Sequence, residues 1–191
     1  PRPPGDGTQA DPAHAQRMNS ALTAAHVRDL LPKRPADAHK YTFGRVLVIA
    51  GSVTCPGAAS LATAAAARVG AGLVVLGVGR SAQHGPGRIP EVVLQILPEA
   101  EWGYLGEAAA EEVRQHLAGT SALLLGPGIG RDDTTRQFVC RLLGVSRTGE
   151  HPVGFATGAP PAEPPPTALP PLVLDADALT LLAGVERWWQ H

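Results

Sequence analysis

Arg45-Val-Leu-Val-Ile-Ala-Gly-Ser52 has the make-up of a buried strand running into a turn. Five apolar residues follow one another with no polar alternation, and the run stops at a glycine and a serine. This is the pattern of a strand covered on both faces, so a central strand of a parallel sheet is expected. Downstream, Val53-Thr-Cys-Pro-Gly57 reads as a turn. Ala58 to Val69 follows as a helix, rich enough in alanine to approach a sheet very closely. Gly70-Ala-Gly72 stops that helix, and Leu73-Val-Val-Leu-Gly-Val78 is a second buried strand. Together they make a βαβ unit with a right-handed crossover.

The alternation continues. Pro90 to Pro98 is a shorter third strand, and Glu107 to Leu117 is an amphipathic helix with Ala109, Val113 and Leu117 on one face. Ser121 to Leu125 is the next buried strand, followed by a glycine loop and a helix from about Thr134 to Leu143, capped by Asp132 or Asp133. Leu172-Val-Leu174 and a helix from Ala178 to Leu182 close the series. The fold class expected is α/β, layered, with a mostly parallel central sheet and helices on both faces.

Composition bounds the function. The 191 residues hold 22 Gly and 19 Pro, are 44% hydrophobic and 17% charged, and balance 16 basic against 17 acidic side chains. That charge balance argues against a nucleic-acid binder driven by phosphate neutralisation. No apolar run reaches the ~18 to 20 residues of a membrane helix, and the opening PRPPGDGTQADP lacks the features of a signal peptide. A soluble, cytoplasmic protein is expected, with no membrane partner. Cys55 and Cys140 have neither disulfide nor metal-ligand spacing and are expected to be reduced, small and buried.

Proline divides the chain. Four prolines fall in residues 1 to 12 and eight between Pro152 and Pro171. Residues 1–27 therefore read as a disordered leader or interdomain linker, residues 28–191 as the domain, and residues 144–171 as a Pro-rich insertion loop. Trp188-Trp189 lies almost at the last residue, and residue 1 is Pro, so a fragment is expected.

In parallel sheets, ligands bind beyond the carboxyl ends of the strands. Three strand ends carry unusual residues. At the first, a helix opens with Gly57-Ala58-Ala59, where bare N–H groups and the positive helix end suit a phosphate; tight helix-to-sheet packing would use the same residues. At the second, Gly126, Gly128 and Gly130 alternate around Pro127 and Ile129, removing Cβ atoms that would obstruct a flat ring or a pyrophosphate; a ligand-free tight turn is the other reading. This loop fits neither the P-loop nor the dinucleotide fingerprint. At the third, Asp175 and Asp177 leave a strand two residues apart, offering a carboxylate for Mg²⁺, a ribose hydroxyl or a proton, or a helix cap at Asp177. Lys40, between His39 and Tyr41, supplies a cation near the first strand, or only surface basicity. His84 and His116 lack metal-ligand spacing, and no Gly-x-Ser-x-Gly elbow occurs.

Taken in order, Leu31 to Ser52, Pro56-Gly-Ala-Ala59, Gly70-Ala-Gly72, Pro90-Glu91, Gly126-Pro-Gly128 and Leu174-Asp-Ala-Asp-Ala-Leu179 resemble the ADP/ATP-dependent NAD(P)H-hydrate dehydratases. The resemblance covers about residues 28 to 189 and draws its specificity from the ordered set. It implies a ribokinase-like fold and a metabolite-repair lyase that returns the (S)-hydrate of NADH or NADPH to the usable cofactor, driven by ADP or ATP, usually with Mg²⁺. Phosphorylation makes the ring hydroxyl a leaving group, and elimination restores the dihydropyridine. By resemblance the hydrated nucleotide is held by Gly57, Ala58, Ala59, Gly126, Gly128 and Gly130, while Asp175, Asp177 and Lys40 are polar or metal-facing candidates. The family's Thr-Pro-His-x-Gly-Glu, Lys-Gly and Gly-x-Gly-Asp segments do not occur among these residues. The resemblance therefore places no catalytic residue in this chain, and the chain alone is expected to be inactive. A homo-oligomer and a preceding NAD(P)H-hydrate epimerase domain are further implications. The competing readings are a ribokinase-like small-molecule kinase and a non-catalytic nucleotide-binding fragment.

Overall fold

The computed structural model describes residues 22–85, 89–145 and 168–190. The chain divides into two compact units, Pro1–Ala38 and His39–His191. In the first, α1 (Ala24–Leu30) is an exposed helix whose N-cap Thr23 accepts the backbone N–H of His26 at 3.1 Å. It begins inside the stretch expected to be a leader, because Thr23 supplies the cap that an isolated turn needs; residues 1–21 lie outside the described residues.

The second unit holds β1 (Arg45–Ile49), α2 (Pro56–Val69), β2 (Leu73–Gly79), β3 (Val93–Leu97), α3 (Glu107–Gln115), β4 (Ala122–Leu125), α4 (Asp133–Leu143), β5 (Leu172–Leu174) and α5 (Asp177–Ala183). The five strands form one sheet in the order β3-β2-β1-β4-β5, and every pairing is parallel. Arg45–Ile49 is thus the central strand, as its unbroken apolar run requires. Leu47 and Ile49 point into one core and Val48 and Ala50 into the other, all fully buried.

The two faces are covered differently. On one, α3, α4 and α5 contribute Ala109, Val113, Phe138, Leu142 and Leu182 to the larger core. On the other, α2 is the helix that packs among the described residues, and its alanines let it approach closely: a Cβ at Gly51 would come within 2.8 Å of the Cβ of Ala59. Gly77 serves the first core, since a side chain there would overlap Ile49 and press on Leu97.

Helix ends follow local chemistry. Pro56 occupies the first turn of α2, where its missing N–H costs nothing, and Gly70 ends the helix in the left-handed conformation at φ 105°. Of the two aspartates expected to cap α4, Asp132 does so, accepting the N–H of Thr135 at 3.0 Å. The insertion expected over 144–171 falls largely outside the described residues. Trp188 packs on the larger core, Trp189 remains exposed, and Cys55, expected to be buried, is exposed whereas Cys140 is buried. Among the described residues no helix is long and apolar enough to cross a membrane.

Candidate functional site

The strand order creates a switch point. The chain leaves β1 for α2 on one face and leaves β4 for α4 on the other, so the two exit loops separate at the carboxyl edge, where open α/β sheets bind ligands. Backbone hydrogen bonds lock these loops together: Gly51 N–H donates to Pro127 O at 2.8 Å, and Gly126 N–H donates to Ile49 O at 3.1 Å. Ser52, at the end of β1, is buried, and its hydroxyl lies 3.0 Å from that of Thr54.

Three glycines of the second loop have left-handed φ values, 131° at Gly126, 67° at Gly128 and 98° at Gly130. Sequence reasoning took their missing Cβ atoms as room for a ligand; the structure fills that room with protein. A Cβ at Gly126 would strike the carbonyl of Asp175 and the Cβ of Ala178. One at Gly128 would lie 2.7 Å from Ala58 Cβ and 2.9 Å from Cys55 Cβ, and one at Gly130 would lie 2.7 Å from the Tyr104 ring. These glycines therefore let three strand exits close on one another. Gly57 is different. A Cβ there meets nothing within 4 Å among the described residues, so the first turn of α2 is open at this edge as far as they extend.

The aspartates separate in role. Asp177, expected as a cap or a crevice carboxylate, is the first residue of α5 and makes no cap bond. Its carboxylate, 14% exposed, instead accepts the N–H of Gly130 at 3.2 Å and pairs with Arg131 Nε at 2.5 Å. Asp175 is exposed and holds the loop through its backbone: its N–H donates to Leu125 O at 3.1 Å, and its carbonyl accepts from Ala178 N–H at 3.2 Å. Between them Ala176 adopts φ 47° and ψ −113°, a conformation that glycine tolerates better than alanine.

Lys40 does not belong to this edge. The turn that carries it precedes β1, and Phe43 O and Gly44 O accept from Gly72 and Leu73 at the start of β2. Parallel strands begin at one edge and end at the other, so Lys40 lies at the amino edge, its Nζ 5.0 Å from the Tyr41 ring centroid.

Some residues at the carboxyl edge carried no sequence signal. Glu99, after β3, accepts the backbone N–H of Ser81 at 2.7 Å and its hydroxyl at 3.0 Å. The Glu101–Gly103 turn packs beside Val53 and Ser81, and Tyr104 against Gly130. Arg131 pairs across 46 positions with Asp177, a separation that no local pattern encodes. Among the described residues no group of three or more His, Cys, Asp or Glu could hold a metal ion.

A family model described as NAD(P)H-hydrate dehydratase matches residues 46–149. The bifunctional NAD(P)H-hydrate repair enzyme of Moorella thermoacetica is 37% identical over 167 residues, 87% of this chain and 27% of that protein. A crystal structure of the ADP/ATP-dependent NAD(P)H-hydrate dehydratase from Bacillus subtilis, co-crystallised with ATP and Mg²⁺, is similar at TM-score 0.55 and 27% identity. The match covers 82% of this chain and 46% of that one. A ribokinase-like superfamily protein from Enterococcus faecalis shares the fold at TM-score 0.60 and 24% identity, over 85% of this chain and 47% of its own. The chain thus spans between about a quarter and a half of the length of these relatives.

Proposed function

The chain belongs to the NAD(P)H-hydrate dehydratase family, and from that premise we propose that it supplies the substrate-binding part of a lyase that dehydrates hydrated NADH or NADPH at the expense of ADP or ATP. The observation that carries this reading is the open first turn of α2 at the switch point. There Gly57 borders free space while Ala58 is clamped against Gly128. A helix N-terminus of a fourteen-residue helix favours a phosphate through its positive end, which suits the pyrophosphate of a dinucleotide. The loop Gly126–Gly130 forms the facing wall, with its carbon positions already occupied, so it offers rigid backbone to a ligand.

The reaction needs a phosphoryl group on the ring hydroxyl, then loss of phosphate and of a ring proton to restore the dihydropyridine. ADP or ATP supplies that group when bound. For Mg²⁺, no group of three or more His, Cys, Asp or Glu among the described residues could hold the ion, and no step is assigned to the metal. A fused epimerase, as the bifunctional name of a relative suggests, and a homo-oligomer complete the proposal.

The test is recovery of the dihydronicotinamide absorbance from the purified (S)-hydrate by protein carrying this chain, with ADP and with ATP in turn. Recovery that depends on either nucleotide is the expected result. No recovery with both, together with no binding of the hydrate by calorimetry, overturns the proposal.

A further inference from the structure

Trp102 stands where its side chain is least expected. Glu101, Trp102, Gly103 and Tyr104 form a tight turn, closed by Tyr104 N–H to Glu101 O at 3.3 Å and braced by Ala100 N–H to Tyr104 O at 2.8 Å. The two central residues are both left-handed, Trp102 at φ 61°, ψ 18° and Gly103 at φ 77°. That geometry suits Asn-Gly or Asp-Gly and disfavours a bulky first residue. Nor does burial compensate, because Trp102 is 85% exposed.

The turn occupies a particular place. A Cβ at Gly103 would lie 3.3 Å from Ser81 Cβ and 3.4 Å from Val53 Cγ1, and the Tyr104 ring abuts Gly130. The exits of β1, β2 and β4 therefore surround the turn at the carboxyl edge. A strained backbone, a large uncovered indole and a position at the rim of the candidate site coincide in one residue.

We propose that Trp102 is a platform on which an adenine base stacks. This rests on the reading of the site given above, and it names a subsite that the glycine loops do not provide. The hydrated nicotinamide has lost its flat conjugated ring, whereas adenine keeps a full aromatic face, the partner that an indole face stacks on best. Both the dinucleotide and the ADP or ATP of the proposed reaction carry that base, so either can fill the subsite.

The chain contains three tryptophans, so in a Trp188→Phe, Trp189→Phe background Trp102 is the only indole that reports. Titration with adenosine monophosphate is expected to quench its fluorescence, while ribose 5-phosphate, which carries no base, leaves it unchanged at equal concentration. Trp102→Asn is expected to weaken adenosine monophosphate binding by on the order of tenfold, the scale of one lost stacking contact, and to raise Tm by about 2 to 4 °C as the turn relaxes. Trp102→Phe should keep most of the affinity. Oxidised NADP binding more tightly than ATP in this assay assigns the base to the dinucleotide; the reverse order assigns it to the phosphoryl donor.

Absence of quenching by adenosine monophosphate, or unchanged affinity in Trp102→Asn, overturns the platform. If quenching occurs but the hydrate is never dehydrated, the platform stands and the proposed reaction falls. If the hydrate is dehydrated with affinities indifferent to Trp102→Asn, the reaction stands and the platform falls.

Discussion

The carboxylate of Asp177 accepts the backbone N–H of Gly130 at 3.2 Å, and by this bond the first turn of α5 holds the loop that follows β4. The two residues are 47 positions apart, and the same carboxylate also pairs with Arg131. Asp177 is largely covered whereas Arg131 is 64% exposed, so the backbone bond should matter more than the ion pair. Asp177→Ala is expected to lower unfolding stability by about 1 to 2 kcal/mol and Arg131→Ala by less than about 1 kcal/mol, read from urea midpoints at constant slope. An Arg131 variant that costs more than the Asp177 variant would reverse this assignment.

Gly128 and Ala58 form a second long-range contact. Gly128→Ala places a Cβ 2.7 Å from that of Ala58 on a left-handed backbone, and should destabilise by about 2 kcal/mol or more. Part of that loss is steric. The double variant Gly128→Ala, Ala58→Gly is therefore expected to be more stable than the sum of the single changes by at least about 0.5 kcal/mol. Strict additivity would show that Ala58 is not what Gly128 makes room for.

Gly57 separates stability from binding. Its Cβ direction is open and its place in the first turn of α2 is helical, so Gly57→Ala should leave stability unchanged or raise it by up to about 1 kcal/mol. A larger side chain, as in Gly57→Leu, should still fold while weakening binding of the hydrated dinucleotide at least about tenfold, or about 1.4 kcal/mol. Equal affinities for Gly57→Leu and the parent in calorimetry would remove this turn from the site.

Asp175 offers an exposed carboxylate beside a backbone that is already engaged. Asp175→Asn should shift stability by no more than about 0.5 kcal/mol, the usual range for a surface change. In protein that turns over the hydrate, the same change is expected to lower the rate with ATP. Full turnover in Asp175→Asn would leave Asp175 a purely backbone role.

Much of the fold was legible because burial on both faces writes itself into a strand. The unbroken runs at β1, β2 and β4 needed no partner to be recognised, and the cap at Asp132 and the stop at Gly70 follow from local hydrogen bonding and backbone sterics. The third strand is shorter than its proline-bounded segment, five residues over Val93–Leu97, because the flanking residues turn away before pairing. α1 was missed because a seven-residue helix with no buried side chain leaves no apolar stripe to read.

A parallel α/β layer with glycine-rich exits is written in the residues of each segment, since period, run length and glycine placement are local properties. What those exits do depends on how the segments pack. That packing sent Lys40 to the opposite edge, gave the space beside Gly126, Gly128 and Gly130 to Asp175, Ala58, Cys55 and Tyr104, and turned Asp177 from a cap into a clamp. It also left Gly57 open and Trp102 bare at one rim. Such contacts join residues tens of positions apart, and they follow from strand order and from the face each crossover takes, which no stretch of sequence specifies without the others.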